Sequence, residues 1–178
     1  MIVIIDTDIL SCIAKIKRFQ LLQKLFTDAQ FIVPQRVYEE IIRAKKEGYG
    51  FVDYVLRLID DRILNLPILT SDETSKIKDL DESMNLHFGE IEAIVLALRE
   101  NAILLSNDNR VKKESQRLNL GIDVFNLEDV ISTLIDIGEV TSENDIKQLI
   151  EEIENKDRVL IKNKAYLQQK GLNPRLKI

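Results

Sequence analysis

Sulfur, imidazole, indole, glycine and proline are all scarce in this sequence. Its 178 residues contain one cysteine, Cys12, one histidine, His87, and no tryptophan. A lone cysteine excludes an internal disulfide, and Cys12 lies in an apolar run where a buried thiol is expected, which fits a reducing cytoplasm. One histidine and one cysteine cannot build a histidine/cysteine zinc site or a Cys-His nucleophilic pair. The six glycines, at 48, 50, 89, 121, 138 and 171, are spaced neither as a phosphate loop nor as a dinucleotide fingerprint. No apolar run approaches the ~18 residues a membrane span needs, and Met1-Ile-Val-Ile-Ile-Asp6 is too short and too soon acidic for a signal peptide. A soluble, cytoplasmic protein is expected. Positive charge is also in deficit, with 25 basic residues against 30 acidic ones and a net charge of -5. Any attraction for nucleic acid must therefore be local. Apolar residues are plentiful enough for a folded chain, and the length fits one compact domain with an appendage.

Ile2 to Ile5 is a continuous aliphatic run stopped by Asp6, the pattern of a strand buried on both faces in a parallel sheet. A second strand is expected at Phe31-Ile-Val33, cut by Pro34. Pro34 suits a helix start, and Val37, Ile41 and Ala44 recur at helical spacing until Gly48. A helix over 51–59 leads to a short apolar segment at 63–66, read as a strand and closed by Pro67. Residues 70–84 are polar with weak helical spacing and run into a clear helix from Gly89 to Arg99. Ala102-Ile-Leu-Leu105 reads as a buried strand, 108–118 as a basic helix, Ile122-Asp-Val-Phe125 as a last strand and 127–137 as a helix. This alternation implies an α/β fold with a mainly parallel sheet and right-handed crossovers. Beyond Gly138 the character changes: a helix with an acidic face over 142–154 is followed by a basic stretch over 156–177. We read a domain over residues 1–137 and a helical C-terminal extension over 138–178, with Asn173-Pro174 ending regular structure.

Ligands of parallel sheets sit beyond the carboxyl ends of the strands. Asp6 closes the first strand and Asp108 follows the strand ending at Leu105, so neighbouring strands would bring both carboxylates to one edge. Asp108 is also a good helix N-cap. Helical phase turns Glu40 toward the apolar stripe of its helix and Glu39 away from it. Glu90 shares a face with Ala93, Ile94 and Ala97 near a helix start, where the helix dipole favours an acid. Glu92 points beside Val95, Leu96 and Arg99, which suggests a solvated or salt-bridged role. Four carboxylates gathered in one region repel unless cations neutralise them, and hard oxygen ligands select Mg²⁺ or Mn²⁺. Such ions hold a phosphodiester and activate water, which points to hydrolysis of nucleic acid.

Four segments, Ile4-Ile-Asp6-Thr-Asp-Ile-Leu10, Val33-Pro-Gln-Arg-Val-Tyr-Glu-Glu40-Ile, Gly89-Glu-Ile-Glu-Ala-Ile-Val-Leu-Ala97 and Leu105-Ser-Asn-Asp108, resemble in order the acidic motifs of PIN-domain nucleases. The resemblance extends over about residues 1–137. It implies a three-layer α/β/α sandwich around the sheet and Mg²⁺- or Mn²⁺-dependent cleavage of single-stranded RNA. Many prokaryotic relatives, the VapC-type toxins, are neutralised by a small antitoxin protein. By the same resemblance Asp6, Glu40, Glu90 and Asp108 are the catalytic metal ligands, and Ser106 matches a small hydroxyl near the last acid. Asp8 departs from the pattern, since a small polar residue is common there.

Removing the four site acids from the count leaves 26 acidic against 25 basic residues, so a loaded metal site cancels most of the imbalance. Arg110, Lys112 and Lys113, with Arg117, follow Asp108 and are expected to hold substrate phosphates. Arg43, Lys45 and Lys46 follow Glu40. Tyr49, Phe51 and Tyr54 are candidate stacking surfaces or core residues. The extension either packs on the core, mediates self-association as a homodimer, or contacts RNA through Arg158, Lys162 and Lys164. Two rival functions stand beside the nuclease. Asp6-Thr-Asp8 after a buried strand also resembles haloacid dehalogenase phosphatases, with Asp6 as nucleophile and Asp8 as acid/base. The other is an idle PIN-like binding module. His87 is assigned no role.

Overall fold

The computed structural model describes residues 1–172. Five parallel strands, β1 (Ile2–Ile5), β2 (Gln30–Ile32), β3 (Leu64–Asn65), β4 (Ile103–Leu105) and β5 (Val124–Phe125), form one sheet in the order β3-β2-β1-β4-β5. β1 is central because its run is aliphatic at every position: Val3, Ile4 and Ile5 are fully buried, with Val3 and Ile5 facing one layer and Ile4 the other. Helices cover both faces, which gives the three-layer sandwich.

One layer holds α1 (Thr7–Ile16), α2 (Gln20–Leu25), α3 (Gln35–Lys46), α4 (Val52–Asp60) and α8 (Leu127–Asp136), joined by α9 (Glu143–Asp157) and α10 (Lys164–Leu172). The other holds α5 (Ser71–Ser83), α6 (Phe88–Glu100) and α7 (Asn109–Arg117). α1 and α2 occupy a stretch to which the sequence pattern assigned no element. In α1 the buried positions Ile9, Leu10, Cys12, Ile13, Ala14 and Ile16 leave only a narrow polar stripe of Asp8, Ser11 and Lys15. The weakly patterned segment 70–84 is a helix because Thr70 and Glu73 form a reciprocal capping box. Glu73 also pairs with Arg99, at 2.9 Å, which fastens α5 to α6.

The C-terminal helices are not peripheral. Ile146, Leu149, Ile150 and Ile153 of α9 are buried in the same core as α1 and α8, and Lys170 of α10 donates to Ser132 Oγ at 2.6 Å. The Asn173-Pro174 terminator lies outside the described residues. Among the described residues no helix is long and apolar enough to cross a membrane.

Candidate active site

The β1–β4 pairing sets the site. Ile5 is in register with Leu105, and the Asp6 amide donates to the Leu105 carbonyl at 2.9 Å, so the chains leaving both strands emerge side by side. Asp6 then starts α1 as its N-cap, accepting from the Thr7 amide at 2.7 Å. Its second carboxylate oxygen accepts from Ser106 Oγ at 2.8 Å, and that hydroxyl in turn accepts from the Asp108 amide at 3.2 Å. One serine thereby links two of the four expected acids. Asp6 is 7% exposed, and burial pushes its carboxyl up to about 6 against the lowering effect of Ser106 and Thr7.

Glu40 reaches the same edge from α3. Thr7 Oγ1 donates to its Oε2 at 2.5 Å. Glu39 instead turns to Arg36 and Gln35 on its own helix, so Glu40 is the acid that meets the site. It is solvent-exposed and joins the site at the rim. Glu90 lies on the first turn of α6, where one oxygen accepts from the His87 amide at 2.7 Å and completes the helix start. Its other oxygen meets Arg110 at 3.2 Å. Asp108 caps α7 through the Arg110 amide, at 2.7 Å, and grips the Arg110 guanidinium with both oxygens. N-capping and site membership are thus the same property of Asp108. Its carboxyl is held down to about 2 by Arg110, whereas burial raises Glu90, within hydrogen-bonding reach of Asp108, to about 6. Asp8 faces this region as well, and burial followed by the Asp108 charge raises its carboxyl.

Glu92 overturns its expected solvated role. It is 1% exposed, and its two oxygens accept from the Gln35 amide at 2.7 Å and the Arg36 amide at 3.1 Å. A carboxylate from α6 therefore caps α3, whose own N-cap is Pro34, and fixes the helix of Glu40 against the helix of Glu90. Arg36 stacks over Phe88 at 5.0 Å across the same junction. The only sequence signal was an acid inside the otherwise apolar run Ile91 to Ala97.

Of the basic residues among those described, only Arg110 touches the four acids. Lys112 lies 3.8 Å from Asp129 and lines a separate 410 Å³ cavity with Ser115 and Gln116; Lys113 is exposed. Lys45 pairs with Asp53 at 3.3 Å. Tyr54 and Phe51 pack on the core while Tyr49 is 54% exposed. Glu128 accepts from the Lys162 backbone amide at 2.7 Å and from the Asn163 side-chain amide at 2.6 Å, so it does not engage the Lys162 ammonium. Lys164 is tied to Glu154 at 2.5 Å. His87 begins α6.

Among the described residues no three acidic, histidine or cysteine side chains converge tightly enough to enclose an ion as they stand. The chemistry of the donors nonetheless fits a hard divalent cation, since carboxylate and hydroxyl oxygens gather at this edge beside Arg110. The half-exposed Arg110 guanidinium between Glu90 and Asp108 shows that the pair accepts positive charge there.

The fold can be compared directly. A structure of VapBC-1 from nontypeable Haemophilus influenzae aligns with a TM-score of 0.54 at 15% identity, over 71% of this chain and 98% of that one. VapBC2 from Rickettsia felis, bound to a DNA fragment from its promoter, aligns with a TM-score of 0.52 at 16% identity, over 71% and 98%. No curated protein gives a significant match. A family model described as a PIN domain matches residues 2–171, so its span takes in the C-terminal helices as well as the sheet. Five parallel strands in this order, acids at the strand ends and that match together place the chain in the PIN-domain family.

Proposed function

We propose that the protein is a Mg²⁺- or Mn²⁺-dependent endoribonuclease of single-stranded RNA and the toxin of a toxin–antitoxin pair held in check by a small antitoxin protein. The observation that carries the nuclease reading is the chain of contacts Glu40–Thr7–Asp6–Ser106–Asp108, which gathers carboxylates from α3 and from the turns after β1 and β4 at one sheet edge. Asp6, Glu40, Glu90 and Asp108 would hold the cation. When bound, it supplies charge neutralisation to a phosphodiester and acidifies water. Ser106 holds Asp6 and the Asp108 backbone in fixed relation, and Thr7 does so for Glu40. Arg110, freed from Asp108, would hold a substrate phosphate. The toxin reading rests on the motif resemblance to VapC-type proteins and on the shared fold.

The phosphatase alternative is not favoured. The family model that matches residues 2–171 is a PIN domain, and the acids at this edge come from separate segments rather than from Asp6 and Asp8 alone. The test is incubation of the purified protein with end-labelled single-stranded RNA and Mn²⁺. Internal cleavage that falls by about 100-fold or more in Asp6→Asn is expected. Equal activity, or equal inactivity, of the wild type and a folded variant would refute the assignment.

A further inference from the structure

We propose that α1 and the C-terminal extension form a track for a single strand of nucleic acid, ending in a pocket where Lys17 and Arg158 take phosphates and Tyr49 stacks a base. The inference rests on the nuclease reading for the strand's origin at the acids, and on separate observations for the track.

Asp8, Ser11 and Lys15 are spaced at i, i+3 and i+7, so they form one polar stripe along α1. That stripe lines a cavity of 620 Å³ whose far side is the segment from Val159 to Asn163. Asn107 and Asn109, the neighbours of Asp108, line its acid end. Of its three acids, Asp157 pairs with Lys15, Glu128 accepts from the Lys162 backbone amide and the Asn163 side chain, and Asp8 stands at the acid end beside Asp108. Lys15 and Asp157 also line a second cavity of 700 Å³, so the two adjoin at that ion pair. The stripe rises about 10 Å from Asp8 to Lys15, the length of roughly three stacked nucleotides.

The second cavity inverts the charge of the protein. Lys15, Lys17, Lys156 and Arg158 face one acid, Asp157, on a chain of net charge -5. Lys15 is paired with Asp157, and Lys156 with Glu152 at 2.7 Å. Lys17 and Arg158 are exposed and have no ion-pair partner among the described residues. Both occupy the left-handed C-cap of a helix, with φ of 56° on α1 and 61° on α9, where glycine or asparagine is the usual residue. Attraction to a helix C-terminus accounts for one cation at each cap. It does not account for two such caps, 141 positions apart in the sequence, opening into one cavity beside an exposed tyrosine. The Tyr49 and Phe51 rings lie 6.2 Å apart, and Lys15 Nζ stands 5.2 Å from the Phe51 centroid. An aromatic face next to unpaired cations is the arrangement by which proteins hold single strands without reading sequence.

The test measures binding of fluorescent oligonucleotides of about 12 residues, a length within single-strand site sizes, to the full chain in EDTA, by anisotropy over a salt series. RNA, DNA and duplex arms are run in parallel. Lys17→Gly/Arg158→Gly removes both charges while suiting the left-handed caps, so folding is retained. The double variant is expected to bind single strands at least tenfold more weakly, with the slope of log K against log salt reduced by about 1.4, the value for two phosphates. Tyr49→Ala should weaken binding at least fivefold without changing the slope. Unchanged affinity and slope in the double variant, no binding by the wild type, or duplex bound as tightly as single strands would overturn the track. Slope-sensitive binding by a wild type that fails to cleave RNA with Mn²⁺ would sink the nuclease and leave the track standing. Cleavage with an unaltered slope would do the reverse.

Discussion

Asp6 is buried beside fully enclosed aliphatic side chains, and this has a consequence for stability. Its folded carboxyl titrates near 6 and its unfolded one near 3.8, so well below pH 3.8 both states are protonated and Asp6 contributes nothing to the pH dependence. Between pH 4 and 6 the native state holds the proton more tightly, and stability is lost as pH rises through that window. The full penalty is at most about 3 kcal/mol. Asparagine in its place would keep the N-cap and carry no charge. Metal-free Asp6→Asn should therefore melt about 5 °C above the wild type at pH 8 and nearly level with it at pH 4, as measured by thermal denaturation. A variant less stable at pH 8 would contradict the burial argument. The placement of Asp6 was legible in the sequence because an aliphatic run ending in an acid has one natural position in a parallel sheet. Ser106 was legible only through the motif resemblance. The grip of Arg110 on Asp108 and Glu90 was not, since a cation two residues beyond a helix cap can turn to solvent equally well.

Elements hold the acids in place, and the junction of α3 with α6 is the least replaceable. Proline at the start of α3 leaves the first amides without a side-chain cap of their own, and Glu92 supplies both acceptors from another helix. Glu92→Ala leaves two part-buried amides without their shared acceptor, a loss of about 2 kcal/mol by urea denaturation, and Glu92→Gln about half of that. Under the nuclease reading both lower kcat through Glu40. A loss under about 0.5 kcal/mol would show that water replaces the carboxylate. Sequence periodicity located all five strands and most of the helices, since continuous aliphatic runs and amphipathic stripes record burial directly. It missed α1, whose polar stripe of Asp8, Ser11 and Lys15 is narrow, and α2, which is only six residues long. It also misread Glu92, because one acid among apolar residues looks the same whether it reaches solvent or a neighbouring helix.

At the scale of the whole molecule, the C-terminal helices complete the layer built on α1. Ile150 is buried in that seam, and Ile150→Ala should cost about 3 kcal/mol and lower the unfolding midpoint of the entire chain in one transition. Two separate transitions would show that the extension folds on its own. The seam also explains why the family match runs to residue 171 although the four acidic motifs end at Asp108. Everything proposed for the active edge depends on carboxylates from distant segments sharing a divalent ion, and calorimetric titration of Mn²⁺ into the metal-free protein addresses that directly. Saturable binding is expected in the wild type and in Glu39→Gln, weakened at least tenfold in Asp6→Asn and in Asp108→Asn. No saturable binding by the wild type, or binding indifferent to both aspartates, would contradict the account.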